Sequence, residues 1–216
     1  QAFVHYLDLG LYFNAFDEFV KRINPNSDNK GIYKHIKPGP ILEKEGRIEN
    51  VLTPGQMIIV QIVKEPISTK GSRLTAEISL AGRNIVLLPF AEKVSVSQKI
   101  SSKEEKRRLE TLVRSILPKN YGAIIRTAAE GKNAAVLDAE VMSLIEKWEN
   151  SWKKLAKSKD VQLLFTEYSK TTTILRDLLN DSFTNSYVND ENIYEETRKY
   201  ISLISPEQEK IVKLYK

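Results

Sequence analysis

Apolar and polar positions along this chain follow two periods, and each change of period marks an element. The opening run Ala2-Phe3-Val4-His5-Tyr6-Leu7 alternates as a strand does. Residues 14 to 56 are poor in periodicity and rich in punctuation, with Asn24-Pro25-Asn26, Lys37-Pro38-Gly39-Pro40 and Thr53-Pro54-Gly55, and they predict a long loop or insertion. Met57 to Glu65 is β-branched and bounded by turn residues, which predicts a strand. PISTKGS at 66–72 is a basic turn carrying Lys70 at its tip, and Arg73 to Ile78 is the returning strand. Gly82 breaks the pattern, and Asn84 to Leu88 forms a third short strand.

Ser101 or Ser102 followed by Glu104-Glu105 predicts a capped helix running to Leu117, where Pro118 ends it. A strand at 122–127 precedes a long helix from Asn133 to Lys157. In that helix Val141, Leu144, Ile145, Trp148, Trp152 and Leu155 share one stripe, so both tryptophans read as core. The remaining pattern predicts strand 162–166, helix 172–180, strand 185–188, helix 191–204 and a last strand at 210–214. Helices and strands mix without strict alternation, so the fold class is α+β.

Composition narrows the chemistry. There are no cysteines, which excludes disulfides, thiolate zinc sites and cysteine nucleophiles within these residues and fits a reducing, cytoplasmic setting. No apolar run approaches the ~20 residues of a membrane span. The only histidines, His5 and His35, sit in the first quarter of the chain without partners for a triad. A net charge of +5 leans toward anionic partners such as nucleic acid. Gln1 opens directly into strand-like sequence with no initiator Met, which predicts a piece of a longer polypeptide.

The candidate chemistry concentrates in GAIIRTAAEGKN at 122–133. An apolar run ends in Arg126-Thr127, then small residues, then Gly131-Lys132. A guanidinium fork, a hydroxyl and neighbouring loop amides are the parts of a small phosphate pocket. KVSVSQKISSKEEKRR at 93–108 holds six basic residues, Lys99 among them, against two acidic ones, and is either a solvated face or a track for RNA backbone. Asp177 and Asp181, four apart, are the one spacing that suggests two metal-facing oxygens, beside Arg176. No Walker or dinucleotide glycine pattern occurs.

Together these segments resemble the ribonuclease E/G family of bacterial endoribonucleases. The runs that carry the resemblance are GQMIIVQIVKEPISTKG (55–71), LTAEISLAGRNIVLLP (74–89), GAIIRTAAEGK (122–132), TTILRDLLND (172–181) and KIVKLYK (210–216), in matching order, while AFVHYLDLG resembles the opening of Bacteroidetes-type members. The resemblance implies the later part of an S1-like, oligonucleotide-binding (OB-type) RNA-binding barrel at 1–76, interrupted by an insertion at about 14–50. It further implies an α/β 5′-sensor domain at 77–181 and the start of an RNase H-like subdomain from 182 to 216.

By position, the resemblance makes Arg126 and Thr127 the pair that grips a 5′-monophosphate, with Gly82 and Val86 lining the terminal nucleotide. Phe3 and Lys70 become RNA contacts, and Lys99 of the basic 93–108 segment is assigned beside them. The partner it implies is single-stranded RNA with a 5′-monophosphate, and it leaves room for a homo-oligomer of the full-length protein. The family's magnesium-binding aspartates and zinc-linking cysteine motif are expected outside this chain, so no catalytic residue and no cofactor is assigned within it. The alternative is a stand-alone RNA-binding or ribosome-associated module that cleaves nothing. A phosphate-handling metabolic enzyme fits less well, since no base, nucleophile and metal converge.

Overall fold

A computed structural model describes residues 2–23, 35–37, 39–155, 160–167, 169–180 and 182–215. The chain forms two compact units, residues 1–164 and 165–216. Asp181, the turn Asn24-Pro25-Asn26, Pro38 and the expected helix end at Lys157 lie outside the described residues. The class is α+β, as the mixed periods imply.

The larger unit carries two sheets. The first has three strands, β1 (Ala2–Phe3), β2 (Gln61–Lys64) and β3 (Ser72–Thr75), in the order β1-β3-β2. β1 runs parallel and β2 antiparallel to β3, with an irregular register between Ile62 and Lys64. Among the described residues this sheet does not close into a barrel. The expected strand 2–7 is shorter than its alternation suggested, because the chain turns into a 3-10 helix at Tyr6–Leu9. Likewise only the last part of Met57–Glu65 joins the ladder, while Ile58 packs on a small core of Leu9, Phe13 and Ala76.

The second sheet has four strands, β4 (Leu80–Ala81), β5 (Ile85–Pro89), β6 (Val94–Val96) and β7 (Tyr121–Ile125), in the order β4-β5-β7-β6. β7 pairs antiparallel with β5 and parallel with β6. Alternation sorts its two faces. Ile85, Leu87, Ala123 and Ile125 are fully buried, whereas Val86 and Ile124, paired in register, lie on the more open side, with Ile124 40% exposed.

Two helices, α2 (Lys103–Ile116) and α3 (Ala134–Leu155), accompany the sheet, and the aromatic part of the core sits between α3 and α1 (Phe13–Arg22). α2 begins where the serine-acid pattern placed it: Ser102 caps it by accepting the Glu105 amide. The α3 stripe is buried as expected, with Trp148 at 1% and Trp152 at 6% exposure. α1 overturns the loop expected from residue 14 onward. Its Phe13, Phe16 and Phe19 recur every third residue and are buried. Phe16 meets Phe90 edge-on at 4.8 Å, and Phe19 meets Trp152 at 4.9 Å. Phe90 itself has a left-handed backbone, φ 60°, which a bulky side chain adopts only when packing enforces it.

The smaller unit holds α4 (Lys170–Leu178), α5 (Glu191–Ile204) and the parallel strands β8 (Ser186–Val188) and β9 (Val212–Leu214) around Leu175, Leu179, Tyr200, Ile201 and Val212. Asp190 caps α5 through the Ile193 amide. The strand expected at 162–166 is absent from the described residues 160–167. Leu163 is 72% exposed and has no neighbouring strand to complete a ladder.

Candidate nucleic-acid interface

At one end of the four-stranded sheet, β4 leaves at Gly82, β5 starts at Ile85, and β6 and β7 finish. Arg126 is the first residue past β7. Its backbone amide donates to the Asn84 carbonyl at 2.8 Å, and its Nη1 donates to the Gly82 carbonyl at 2.9 Å. The guanidinium is thus held over the β4–β5 turn and is partly buried. Thr127 is exposed and turns the other way, with its hydroxyl 3.1 Å from that of Ser97 beyond β6. Ser97 Oγ also accepts the Lys99 amide at 3.3 Å, while the Lys99 side chain is exposed. Arg126, Thr127, Gly82, Lys99 and the unforeseen Ser97 therefore share one end of the sheet. Val86 lies on β5 with Ala81 and Ile124 as its cross-strand neighbours.

The loop after Thr127 departs from the expected cradle of free amides. Ala129, Glu130 and Lys132 donate within the loop to Arg126, Thr127 and Ala129 carbonyls, and Gly131 donates to Glu105. Gly131 has φ 71°, the left-handed conformation that glycine adopts at no steric cost. Glu105 is gripped in turn by Arg108, which also donates to the Lys132 carbonyl at 2.9 Å. The Arg108 side chain, and then the Gly131 amide, hold the Glu105 carboxyl down at about 2. Of the basic 93–108 segment, Arg108 is therefore engaged in fixing this loop, whereas Lys93, Lys99, Lys103 and Arg107 are exposed.

A second residue that the sequence pattern does not single out is Glu140 of α3. Its carboxylate oxygens accept the Asn84 amide at 3.0 and 3.1 Å. Burial pushes its carboxyl above the usual value, opposed by hydrogen bonds from Asn84 and Arg83 and by the charge of Arg126. Gly82 has no room for a side chain: a Cβ would meet the Glu140 carboxylate and come within 2.8 Å of the Ile85 carbonyl. A signal was nonetheless present, since Glu140 is a carboxylate three residues from Leu137 and four from Leu144 in an apolar stripe.

Phe3 belongs to the three-stranded sheet, and Lys70 to the turn between its strands β2 and β3. Phe3, 39% exposed, stands edge-on to His5 at 5.5 Å. Lys70 is not at the tip of its turn: Ile67 and Lys70 exchange backbone hydrogen bonds at 3.0 and 3.1 Å, leaving Ser68 and Thr69 at the tip. No group of three or more His, Cys, Asp or Glu side chains suited to a metal occurs among the described residues. Asp177 is instead held by Arg176 Nε at 2.9 Å. No described helix is long and apolar enough to cross a membrane.

This is an α+β chain that gathers cations and hydroxyls at a sheet end. Its sequence places it among known proteins: the model of the Ribonuclease E/G family matches residues 79–216, and the chain belongs to that family. It is 34% identical over 200 residues to a Ribonuclease E/G-like protein of Pyropia yezoensis, covering 89% of this chain and 39% of that protein. Ribonuclease G of Escherichia coli K12 is 34% identical over 160 residues, 74% of this chain and 33% of its own length. Ribonuclease E of Nostoc sp. is 33% identical over 159 residues, 72% of this chain and 23% of its own length. The chain thus spans about two fifths or less of these relatives. The magnesium that this family generally uses finds no fitting carboxylate group among the described residues.

Proposed function

We propose that this chain is the RNA-binding and 5′-monophosphate-sensing part of a cytoplasmic endoribonuclease acting in RNA processing and decay. In this reading residues 1–76 belong to an S1-like barrel, 77–181 to the 5′ sensor and 182–216 to the start of an RNase H-like subdomain. The cleavage chemistry, with its magnesium, comes from carboxylates outside these residues.

The observation that carries the reading is the pairing of Arg126 with Thr127 at the end of β7, each fixed by a partner from a different side: Gly82 for the guanidinium, Ser97 for the hydroxyl. A terminal monophosphate carries more charge and more free acceptor oxygens than an internal phosphodiester. A fork of N–H donors with a hydroxyl on the next residue therefore favours a chain end over a chain interior. Gly82 and Val86 line the terminal nucleotide, and Phe3, Lys70 and Lys99 contact the strand behind it. Equilibrium binding of short single-stranded RNAs differing only in a 5′-monophosphate or 5′-hydroxyl tests this. Tighter binding of the monophosphate supports the sensor; equal binding removes it.

A further inference from the structure

We propose that Glu140 is a positioning residue for Arg126, acting through the turn Gly82-Arg83-Asn84; this rests on reading the sheet end as the 5′-phosphate pocket. The turn is clamped from two sides. On one, the Glu140 carboxylate accepts the Asn84 amide with both oxygens, at 3.0 and 3.1 Å, and takes a further hydrogen bond from the Arg83 backbone. On the other, Arg126 donates its own amide to the Asn84 carbonyl at 2.8 Å and its Nη1 to the Gly82 carbonyl at 2.9 Å. The acceptor that aims the guanidinium is therefore a carbonyl whose place is set by a carboxylate on another element.

Two features argue that the carboxylate is there for this purpose. Glu140 borders the apolar stripe of α3 and is partly buried, and a carboxylate withdrawn from water is costly unless hydrogen bonds and opposite charge compensate it. An apolar side chain at this position would avoid that cost but leave the turn amides without an acceptor. The fit is also close: the turn passes so near Glu140 that residue 82 has space only for glycine. Charge adds to geometry, since the Arg126 guanidinium acts favourably on the Glu140 carboxylate across the turn.

The test uses the whole chain with Glu140→Ala, Glu140→Gln, Arg126→Ala and the Glu140→Ala/Arg126→Ala pair. Two quantities are read: the guanidinium N–H signal of Arg126 by heteronuclear NMR, and the ratio of affinities for 5′-monophosphate and 5′-hydroxyl RNA. Glu140→Ala is expected to move the Arg126 signal to that of a freely rotating, rapidly exchanging guanidinium and to lower the ratio roughly 10-fold. Glu140→Gln, which keeps an acceptor oxygen, restores both. The pair loses no more preference than Arg126→Ala alone, because the two residues act in series.

If Glu140→Ala does not fold, Gly82→Ala displaces the carboxylate from the turn and produces the same signal change and loss. An unchanged Arg126 signal and ratio in Glu140→Ala or Gly82→Ala, or a Glu140→Gln as deficient as Glu140→Ala, overturns the proposal. A wild-type chain without end preference overturns the pocket reading instead, and the NMR signal then still decides whether Glu140 positions Arg126.

Discussion

Glu105 and Gly131 are joined across 26 positions of sequence: Oε1 of the glutamate accepts the glycine amide at 2.8 Å and so pins the loop after Thr127 to α2. The bond to Arg108 and then the Gly131 amide lower the Glu105 carboxyl from its ordinary 4.5 to about 2. A depressed carboxylate stabilises the fold fully above the unfolded value and loses that contribution as pH falls through the folded one. The tether should therefore hold down to pH 4.5 and weaken from there through about 2. The Gly131 amide shift should titrate with its midpoint near 2, and Glu105→Gln should abolish that titration. A midpoint at the ordinary carboxylate value would mean the tether does not form in solution.

Arg126→Ala should cut the preference for 5′-monophosphate over 5′-hydroxyl RNA by roughly 10- to 150-fold, since a charge-assisted hydrogen bond contributes about 1.5–3 kcal/mol. Thr127→Val keeps the shape, removes the hydroxyl beside Ser97, and should cost about 1 kcal/mol. Lys70→Ala, in the β2–β3 turn, should weaken both RNAs alike and leave the ratio intact. Fluorescence titrations of labelled oligonucleotides separate these outcomes. Equal loss for both ends in Arg126→Ala would make it an ordinary backbone contact.

Binding should also weaken with salt. If Lys70, Lys99 and their exposed neighbours neutralise about three or four phosphates, log affinity should fall against log salt with a slope of roughly −2 to −3. A flat salt response would assign these cations to solubility alone.

Phe19→Ala should destabilise the larger unit by about 3–5 kcal/mol, the range for emptying a fully buried aromatic site. Phe19 touches Phe90, Trp148 and Trp152 at once, which leaves little freedom for the cavity to collapse. In urea the unfolding midpoint should drop with little change in slope. A loss below about 1 kcal/mol would show that α1 is only loosely docked.

What the sequence disclosed was local. Ser102 capping α2, Asp190 ahead of α5 and the tryptophan stripe of α3 all depend on residues within a few positions of one another. α1 was legible in principle, through Phe13, Phe16 and Phe19, but the proline- and glycine-rich stretch that follows obscured so short a period. The expected strand at 162–166 shows the converse. Alternation specifies a face, yet a strand exists only where another strand accepts its hydrogen bonds. The sheet end was half visible: Arg126 and Thr127 stood out, while Ser97, 30 positions away, and Glu140, 56 positions from Asn84, come into place only by folding. Nor could composition reveal that the loop amides of 129–132 would be used inside the loop and by Glu105.

The placement of α1 changes where this protein can be cut. Phe13 closes the small core beneath the three-stranded sheet, and three and six residues on, Phe16 and Phe19 wedge against Phe90 and Trp148 beside the four-stranded one. A single helix thus packs against residues that support both sheets. A shortened chain begun at Glu77 would keep every residue of the Arg126 end yet expose Trp148 and release Phe90 from the packing that sustains its left-handed backbone. Anyone transplanting the four-stranded sheet into another protein would have to carry Phe13–Arg22 along with it.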